Sequence, residues 1–126
     1  MKEQQIILAS QLEKKHQELE QSLQLADTQI QELEQFKDNL GFLIKSKEKE
    51  ILSSLGKGVF LKSKIQDKEK LFVEVGSNVI VKKTPEETKK IVENQIRRLN
   101  EANLQIVAQL EVCHKQLQNL MANIEP

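Results

Sequence analysis

The sequence predicts a mainly α-helical protein with a small β-region, in which two long helices pair as an antiparallel coiled-coil hairpin. In the first and last parts of the 126-residue chain, apolar residues recur at alternating steps of three and four, the spacing of a coiled-coil seam. Between them, short apolar segments alternate with a period of two, as strands do. Leu, Ile, Val, Gln, Glu and Lys dominate, and aromatic residues are scarce, a composition typical of long helices.

The first helix is predicted over about residues 1–50, where no Pro interrupts the chain after Lys2. Its seam consists of two sets of residues, each with a period of seven, which we assign to heptad positions d and a. The d set is Leu12, Leu19, Ala26, Leu33 and Leu40, and the a set is His16, Leu23, Ile30, Lys37 and Ile44. A helix of this length would measure roughly 70 Å, so we expect it to project as an arm.

Two β-hairpins are predicted over residues 51–83. The turn at Gly56-Lys57-Gly58 pairs residues 51–55 with 59–65, and Gly76-Ser77-Asn78 reads as a three-residue loop between the next two strands. Two isolated hairpins are unstable in water and have open edges, so we predict that strands from other subunits complete this region. The assembly residues predicted on these strands are Val59, Phe60, Leu61, Ile65, Leu71, Val73, Val75, Val79 and Val81.

The second helix is predicted over residues 85–125 and has a marked start. Thr84 suits the N-cap, Pro85 the first helical position, and Glu87 the third, where it completes a capping box. The seam of this helix also steps by three or four, with one polar member. It comprises Val92, Ile96, Leu99, Asn103, Ile106, Leu110, Cys113, Leu117, Leu120 and Ile124.

The register of the two helices follows from where each one meets the hairpins. If the first helix ends near Leu52 and faces Pro85, facing residue numbers sum to about 137, which places Leu33 beside Asn103 and Leu12 beside Ile124. A register displaced by one heptad is the alternative. The polar seam residues Lys37 and Asn103 are predicted to fix the register, because such residues select one alignment at a cost in stability.

Composition and motifs argue against several classes of function. Lys and Arg number 19, as do Asp and Glu, so nothing favours nucleic acid or a membrane surface as a partner. No Walker motif, nucleophile elbow or His-centred triad is present, and we predict neither catalysis nor a cofactor. Cys113 and His114 are adjacent on a helix and point about 100° apart, so with His16 they make a poor metal site, and no metal is predicted. We expect a cytoplasmic protein with no transmembrane segment.

This arrangement resembles the prefoldin family over essentially the whole chain. The resemblance rests on the long N-terminal helix, "LGKGVFLKSKI", "LFVEVGSNVIVKKTPEET" and the long C-terminal helix. The two hairpins are similar to the alpha class, of archaeal type, whereas the beta class has one. The resemblance implies a single prefoldin domain over residues 1–126 and an intersubunit β-barrel built by a hexamer of two alpha and four beta subunits.

The resemblance also implies an ATP-independent holdase, which captures unfolded proteins at the ends of its coiled-coil arms and transfers them to a group II chaperonin. A structural or filament-forming coiled-coil protein without client transfer is the alternative. Here the arm end would be the terminal end of the helix pair, residues 1 to about 12 and about 117 to 126. Its predicted client-binding residues are Ile6, Ile7, Leu8, Leu12, Leu117, Leu120, Met121 and Ile124.

The off-seam apolar residues carry most of the client-binding hypothesis. Heptad positions e, f and g fall on Ile6, Ile7 and Leu8, and Met121 falls on e. Apolar side chains off the seam face solvent unless something covers them, and a flexible Met suits a promiscuous surface. The simpler interpretation is that the three residues pack locally or widen the helix seam.

Overall fold

The structure is a computed structural model, and it describes residues 2–124, with the side chain of Ile124 outside the description. The predicted order of helix, hairpin, hairpin and helix is confirmed. Helix α1 spans Lys2–Lys45, strands β1 and β2 span Glu50–Gly56 and Val59–Lys64, strands β3 and β4 span Leu71–Gly76 and Val79–Lys83, and helix α2 spans Pro85–Ile124.

The chain divides into two compact units. One unit contains residues 2–33 of α1 and residues 96–124 of α2, and the other contains residues 34–95. In the first unit, the seam residues Ala26, Ile96 and Cys113 are buried, as is Ala9, one heptad before His16, and the other described seam residues are half-buried. Burial at these helical positions therefore follows the 3-4 spacing that the sequence predicts.

The register preferred from the sequence is wrong by one heptad. In the first unit, Asn103 contacts Asp27 and the ring of His114 lies beside that of His16, so facing residue numbers sum to 130. The second unit gives the same sum, because Lys37 pairs with Glu93 at 3.6 Å. Asn103 therefore lies beside Asp27 rather than Leu33.

The early end of α1 explains this shift. The helix stops at Lys45, where the main-chain N–H of Glu48 donates to the Ser46 hydroxyl at 3.1 Å and turns the chain. The Lys68 ammonium donates to the carbonyl of Ser46, and the N–H of Ile65 donates to the carbonyl of Lys49 at 2.6 Å. Ser46 and Lys49 thus bond to the hairpin region instead of continuing the helix. The last turn of α1 therefore comes seven residues before the predicted end near Leu52.

The start of α2 in the second unit has the predicted capping box. The N–H of Glu87 donates to the Thr84 hydroxyl at 3.1 Å, and the N–H of Thr84 donates to the Glu87 carboxylate at 3.4 Å. Hydrogen bonds from the Thr84 hydroxyl and then from its N–H lower the pKa of Glu87 below its ordinary value, since both favour the carboxylate. Pro85, Thr88 and Val92 are buried beyond this cap.

Each hairpin turns through two residues rather than three. In β3–β4, Gly76 pairs with Val79 after a bulge, so the turn contains only Ser77 and Asn78, both with positive φ. The turn in β1–β2 has the same form, with Lys57 and Gly58 at positive φ. Two consecutive positive φ angles match the right-handed twist of the strands, which explains why the predicted three-residue loop at Gly76-Ser77-Asn78 is not formed.

Candidate functional site

The terminal end of the helix pair holds apolar side chains both on and off the seam. The seam residues Leu12, Leu117 and Leu120 are half-buried. The four off-seam residues predicted for client binding are 45–58 % exposed, and they are Ile6, Ile7, Leu8 and Met121. Their exposure agrees with their heptad positions, and it leaves apolar surface available for a partner. The prediction for Ile124 lies outside the described residues.

A shallow groove of about 350 Å³ runs along one side of this end. Its apolar lining comes from Leu8 on α1 and from the seam residues Leu12 and Leu120. The remaining lining is polar and comes from α2: Gln116, Asn119 and Asn123. The structure thus brings together three of the predicted client-binding residues, whereas Ile6, Ile7 and Met121 are not part of the groove lining.

The sequence alone does not predict a role for the three carboxamides. They occupy steps of three and four along α2, which places them in one stripe on the helix surface. Polar residues at such positions are ordinary on any solvated helix, so the sequence alone gives no reason to choose them. The observed register distinguishes them, because it places Leu8 and Leu12 of α1 beside these carboxamides in one groove.

The hairpins carry a second exposed apolar surface. Among the predicted assembly residues, Ile65, Leu71, Val73 and Val81 are half-buried, and the other five are exposed. Five further apolar residues of these strands are exposed as well: Ile51, Leu52, Leu55, Phe72 and Ile80. Ten large apolar side chains on four short strands exceed the scattered exposure that is normal for a folded surface.

Two lysines of the hairpins contact cross-strand neighbours on the same hairpin. The Lys82 ammonium lies 5.7 Å from the ring centre of Phe72, its cross-strand neighbour, within reach of a cation–π interaction. Lys62 lies 3.5 Å from Glu50 across the first hairpin. Exposed pairs of this kind contribute little to stability. The apolar side chains beside them also remain exposed, including Phe72.

His16, His114 and Cys113 lie near one another in the first unit, but they do not converge. The ring centroids of His16 and His114 are 6.3 Å apart, and His16 Nδ1 lies 3.4 Å from a Glu20 carboxylate oxygen. Cys113 is buried, and its thiol donates to the carbonyl of Leu12 at 3.2 Å. Within residues 2–124, no group of three or more potential metal ligands forms.

Comparison with known proteins identifies the family. A family model described as "Prefoldin subunit" matches residues 12–126. The chain belongs to the prefoldin family. The chain is also 27 % identical to prefoldin subunit alpha 2 of Thermococcus kodakarensis over 81 residues. This alignment covers 64 % of this chain and 57 % of that relative. This chain thus spans less than two thirds of the length of the curated relative.

Solved structures show the same fold. The chain matches a chain in the cryo-EM structure of filamentous PFD from Methanocaldococcus jannaschii with a TM-score of 0.80 and 22 % identity, over 90 % of this chain and 95 % of the other. Prefoldins as a family are chaperones rather than enzymes. Neither described helix has an apolar stretch long enough to cross a membrane.

Proposed function

We propose that this chain is an alpha-class prefoldin subunit, of archaeal type, that acts as an ATP-independent holdase in the cytoplasm. The two hairpins between the helices and the likeness to an alpha 2 relative support the class. In this proposal, two alpha and four beta subunits form a hexamer, and strands from all six close an intersubunit β-barrel. The open strand edges and ten exposed apolar side chains of the hairpins are what such a barrel would cover.

Client capture is proposed at the terminal end of the helix pair. The observation that carries this is the half-exposed set of Ile6, Ile7, Leu8 and Met121. Unfolded chains expose apolar segments, and a surface of four half-exposed apolar side chains would bind such segments weakly and reversibly. Several arm ends acting on one client would raise the effective concentration and convert weak contacts into useful avidity. A weakly held client remains transferable, which suits delivery to a group II chaperonin.

An aggregation assay tests the holdase function. The chain, assembled with beta-class subunits, is expected to suppress aggregation of a chemically unfolded protein equally with and without ATP. Replacement of the four off-seam residues by Ser should remove much of this protection. A matched control replaces four other exposed apolar residues of the helices by Ser: Leu25, Leu104, Val107 and Val112. Equal loss in both variants would contradict a client site at the terminal end.

Transfer to a chaperonin needs a separate measurement. A labelled unfolded client bound to the assembly should move to a group II chaperonin when the chaperonin is added, and refolding should then depend on chaperonin ATP hydrolysis. A client that is released only into free solution, with no transfer above the rate of spontaneous dissociation, would contradict this step while leaving the holdase function intact.

A filament-forming structural role is the second candidate, and a specific observation favours it. A matching solved structure is of a filamentous PFD, and unpaired strand edges can propagate an assembly as well as close it. Mass determination of the chain alone and with a beta-class subunit separates the two functions. A closed hexamer with beta-class subunits supports the holdase, whereas open polymers of this chain that bind no unfolded protein would support the structural role.

A further inference from the structure

The groove at the terminal end is neutral in a highly charged protein. Of the described residues that line it, none is charged, although charged residues make up 30 % of the chain. Its lining divides into an apolar part, formed by Leu8, Leu12 and Leu120, and three carboxamides of α2. A charged ligand would lose hydration in this groove without gaining an ionic partner, so the lining suits an uncharged occupant.

The carboxamides form a line of hydrogen-bonding groups beside the apolar part. Gln116, Asn119 and Asn123 follow one another over seven residues of α2, or about 10 Å of helix. Each offers two donors on nitrogen and an acceptor oxygen. Among the described residues, none of the three makes a side-chain hydrogen bond, whereas Gln35 donates to Asn39 at 3.1 Å on α1. The groove therefore presents donors and acceptors that no described residue engages and that an incoming polar group could bind.

Unfolded polypeptide has the chemistry that matches this lining. An extended segment rises about 3.3 Å per residue and carries N–H and C=O groups along its length, so about three of its residues would span the carboxamide line. The groove volume of about 350 Å³ lies at the small end of the range of about 300–1,000 Å³ for ligand sites. It would therefore admit a short stretch of chain rather than a folded element.

We propose that this groove binds a short, uncharged, apolar stretch of unfolded polypeptide in an extended conformation, and that Gln116, Asn119 and Asn123 hydrogen-bond to its main-chain amides. The inference rests on the holdase function proposed above and names what the terminal end recognises. Main-chain amides are the same in every sequence, so this contact is independent of side-chain identity. In folded proteins these amides are already paired, and the groove therefore distinguishes an unfolded chain from a merely apolar surface.

A backbone substitution in the ligand tests this directly. The probe is a fluorescent ten-residue peptide of Leu, Ala and Ser, compared with a depsipeptide in which esters replace three central amides and so remove three N–H donors. The full chain in its assembled form is expected to bind the amide peptide at least fivefold more tightly, since each hydrogen bond contributes roughly two- to tenfold in affinity. Equal affinities of the wild-type assembly for the two probes would overturn the proposal without any mutation.

A variant localises the preference to the groove. Gln116→Leu, Asn119→Leu and Asn123→Leu together remove the carboxamides and add apolar area, so the amide peptide and the depsipeptide should bind this variant equally. The matched control, Asn94→Leu, Asn100→Leu and Gln105→Leu, changes the same residue types at exposed positions of α2 and should keep the wild-type preference. A groove variant that also keeps the preference would overturn the proposal.

The same experiments separate this inference from the holdase function. If the wild-type assembly prevents aggregation but binds both probes equally, the main-chain contact is wrong and the holdase function stands. If it neither binds a probe nor prevents aggregation, the holdase function is wrong and the inference is overturned with it.

Discussion

The side chains of Asn103 and Asp27 join the two helices of the first unit by a hydrogen bond of 2.7 Å from Asn103 Nδ2 to Asp27 Oδ1. Asn103 is half-buried in the seam, while Asp27 is exposed at its edge. The oxygen of the Asn103 amide is buried and has no hydrogen-bonding partner among the described residues. The amide therefore favours one register through its bond to Asp27, but it lowers the stability of that register through its unpaired oxygen.

Replacing this amide should raise stability and reduce specificity. Asn103→Leu removes the buried unpaired oxygen, and we expect the free energy of unfolding of the helix pair to rise by about 1 kcal/mol, as measured by thermal melting. Loss of the bond to Asp27 should at the same time allow registers displaced by one heptad. The control Asn100→Leu, at an exposed position of the same helix, should change stability by less than about 0.5 kcal/mol. A lower melting temperature for Asn103→Leu alone would contradict this account.

Engineered crosslinks test the register itself. His16→Cys with His114→Cys, in a Cys113→Ser background, should crosslink rapidly with a short thiol-reactive linker, because the two native rings lie 6.3 Å apart. His16→Cys with Met121→Cys is the matched control, since Met121 lies one heptad beyond His114. Preferential crosslinking of the control pair would restore the register in which facing numbers sum to about 137.

The capping box at the start of α2 should contribute measurably to stability. Thr84→Ala removes the hydroxyl that accepts from the Glu87 N–H, and we expect a loss of about 1 kcal/mol in the free energy of unfolding, measured by thermal or urea denaturation. Thr28→Ala is the control, because the Thr28 hydroxyl donates to the Gln24 carbonyl within α1 and caps no helix. A similar loss in both variants would mean that the cap has no special effect.

The same cap predicts a pH dependence. The pKa of Glu87 is lowered in the folded chain, mainly by the Thr84 hydroxyl, so its contribution to stability is complete above the ordinary pKa of the unfolded group and is lost as the pH falls through the lower folded value. Glu87→Gln should therefore flatten the decrease in melting temperature between about pH 5 and pH 3. Glu86→Gln removes a carboxylate from the same helical turn and should keep the wild-type slope. Equal slopes for wild type and Glu87→Gln would contradict the assignment.

Assembly should depend on the second hairpin. Val73→Asp with Val79→Asp places two charges on strands β3 and β4, and burial of unpaired charge in a shared barrel is unfavourable. We expect helical circular dichroism to persist while the hexamer with beta-class subunits is lost, as measured by light scattering. The control, Ser77→Asp with Asn78→Asp, adds the same charges in the turn of this hairpin. An intact hexamer in the Val73 and Val79 variant would contradict strand-mediated assembly.

The seam was predictable because burial in a coiled coil depends on local spacing. Leu40 and Val92 are buried where the heptads place them, and the capping box is encoded within four consecutive residues. The end of α1 was not predictable in this way, because Lys47, Glu48 and Lys49 are good helix formers. Ile65 and Lys68, which lie about 20 residues further along the chain, donate hydrogen bonds to the carbonyls of Lys49 and Ser46, and these bonds hold the segment beside the hairpin region.

In the candidate site, too, locally determined features were predictable and features that depend on distant contacts were not. The exposure of Ile6, Ile7 and Leu8 follows from their heptad positions alone. That Leu8, and neither Ile6 nor Ile7, lines the groove with residues of α2 depends on the register. The register in turn depends on where α1 ends. The groove position of the carboxamide stripe therefore depends on the contacts of Ile65 and Lys68 that end α1, and these contacts are not encoded near the stripe.

The bare strand edges have a consequence for the cell's handling of this chain. A newly made copy that has not met its partners displays unpaired main-chain groups and apolar strand faces, the features that mark a chain for aggregation or degradation. If the proposed assembly with partner subunits forms, production of this chain in excess of those partners would leave these strand edges uncovered. An unassembled copy also exposes apolar strand surface of the kind that the proposed holdase would bind, so under that proposal such a copy would itself be a potential client of the assembly.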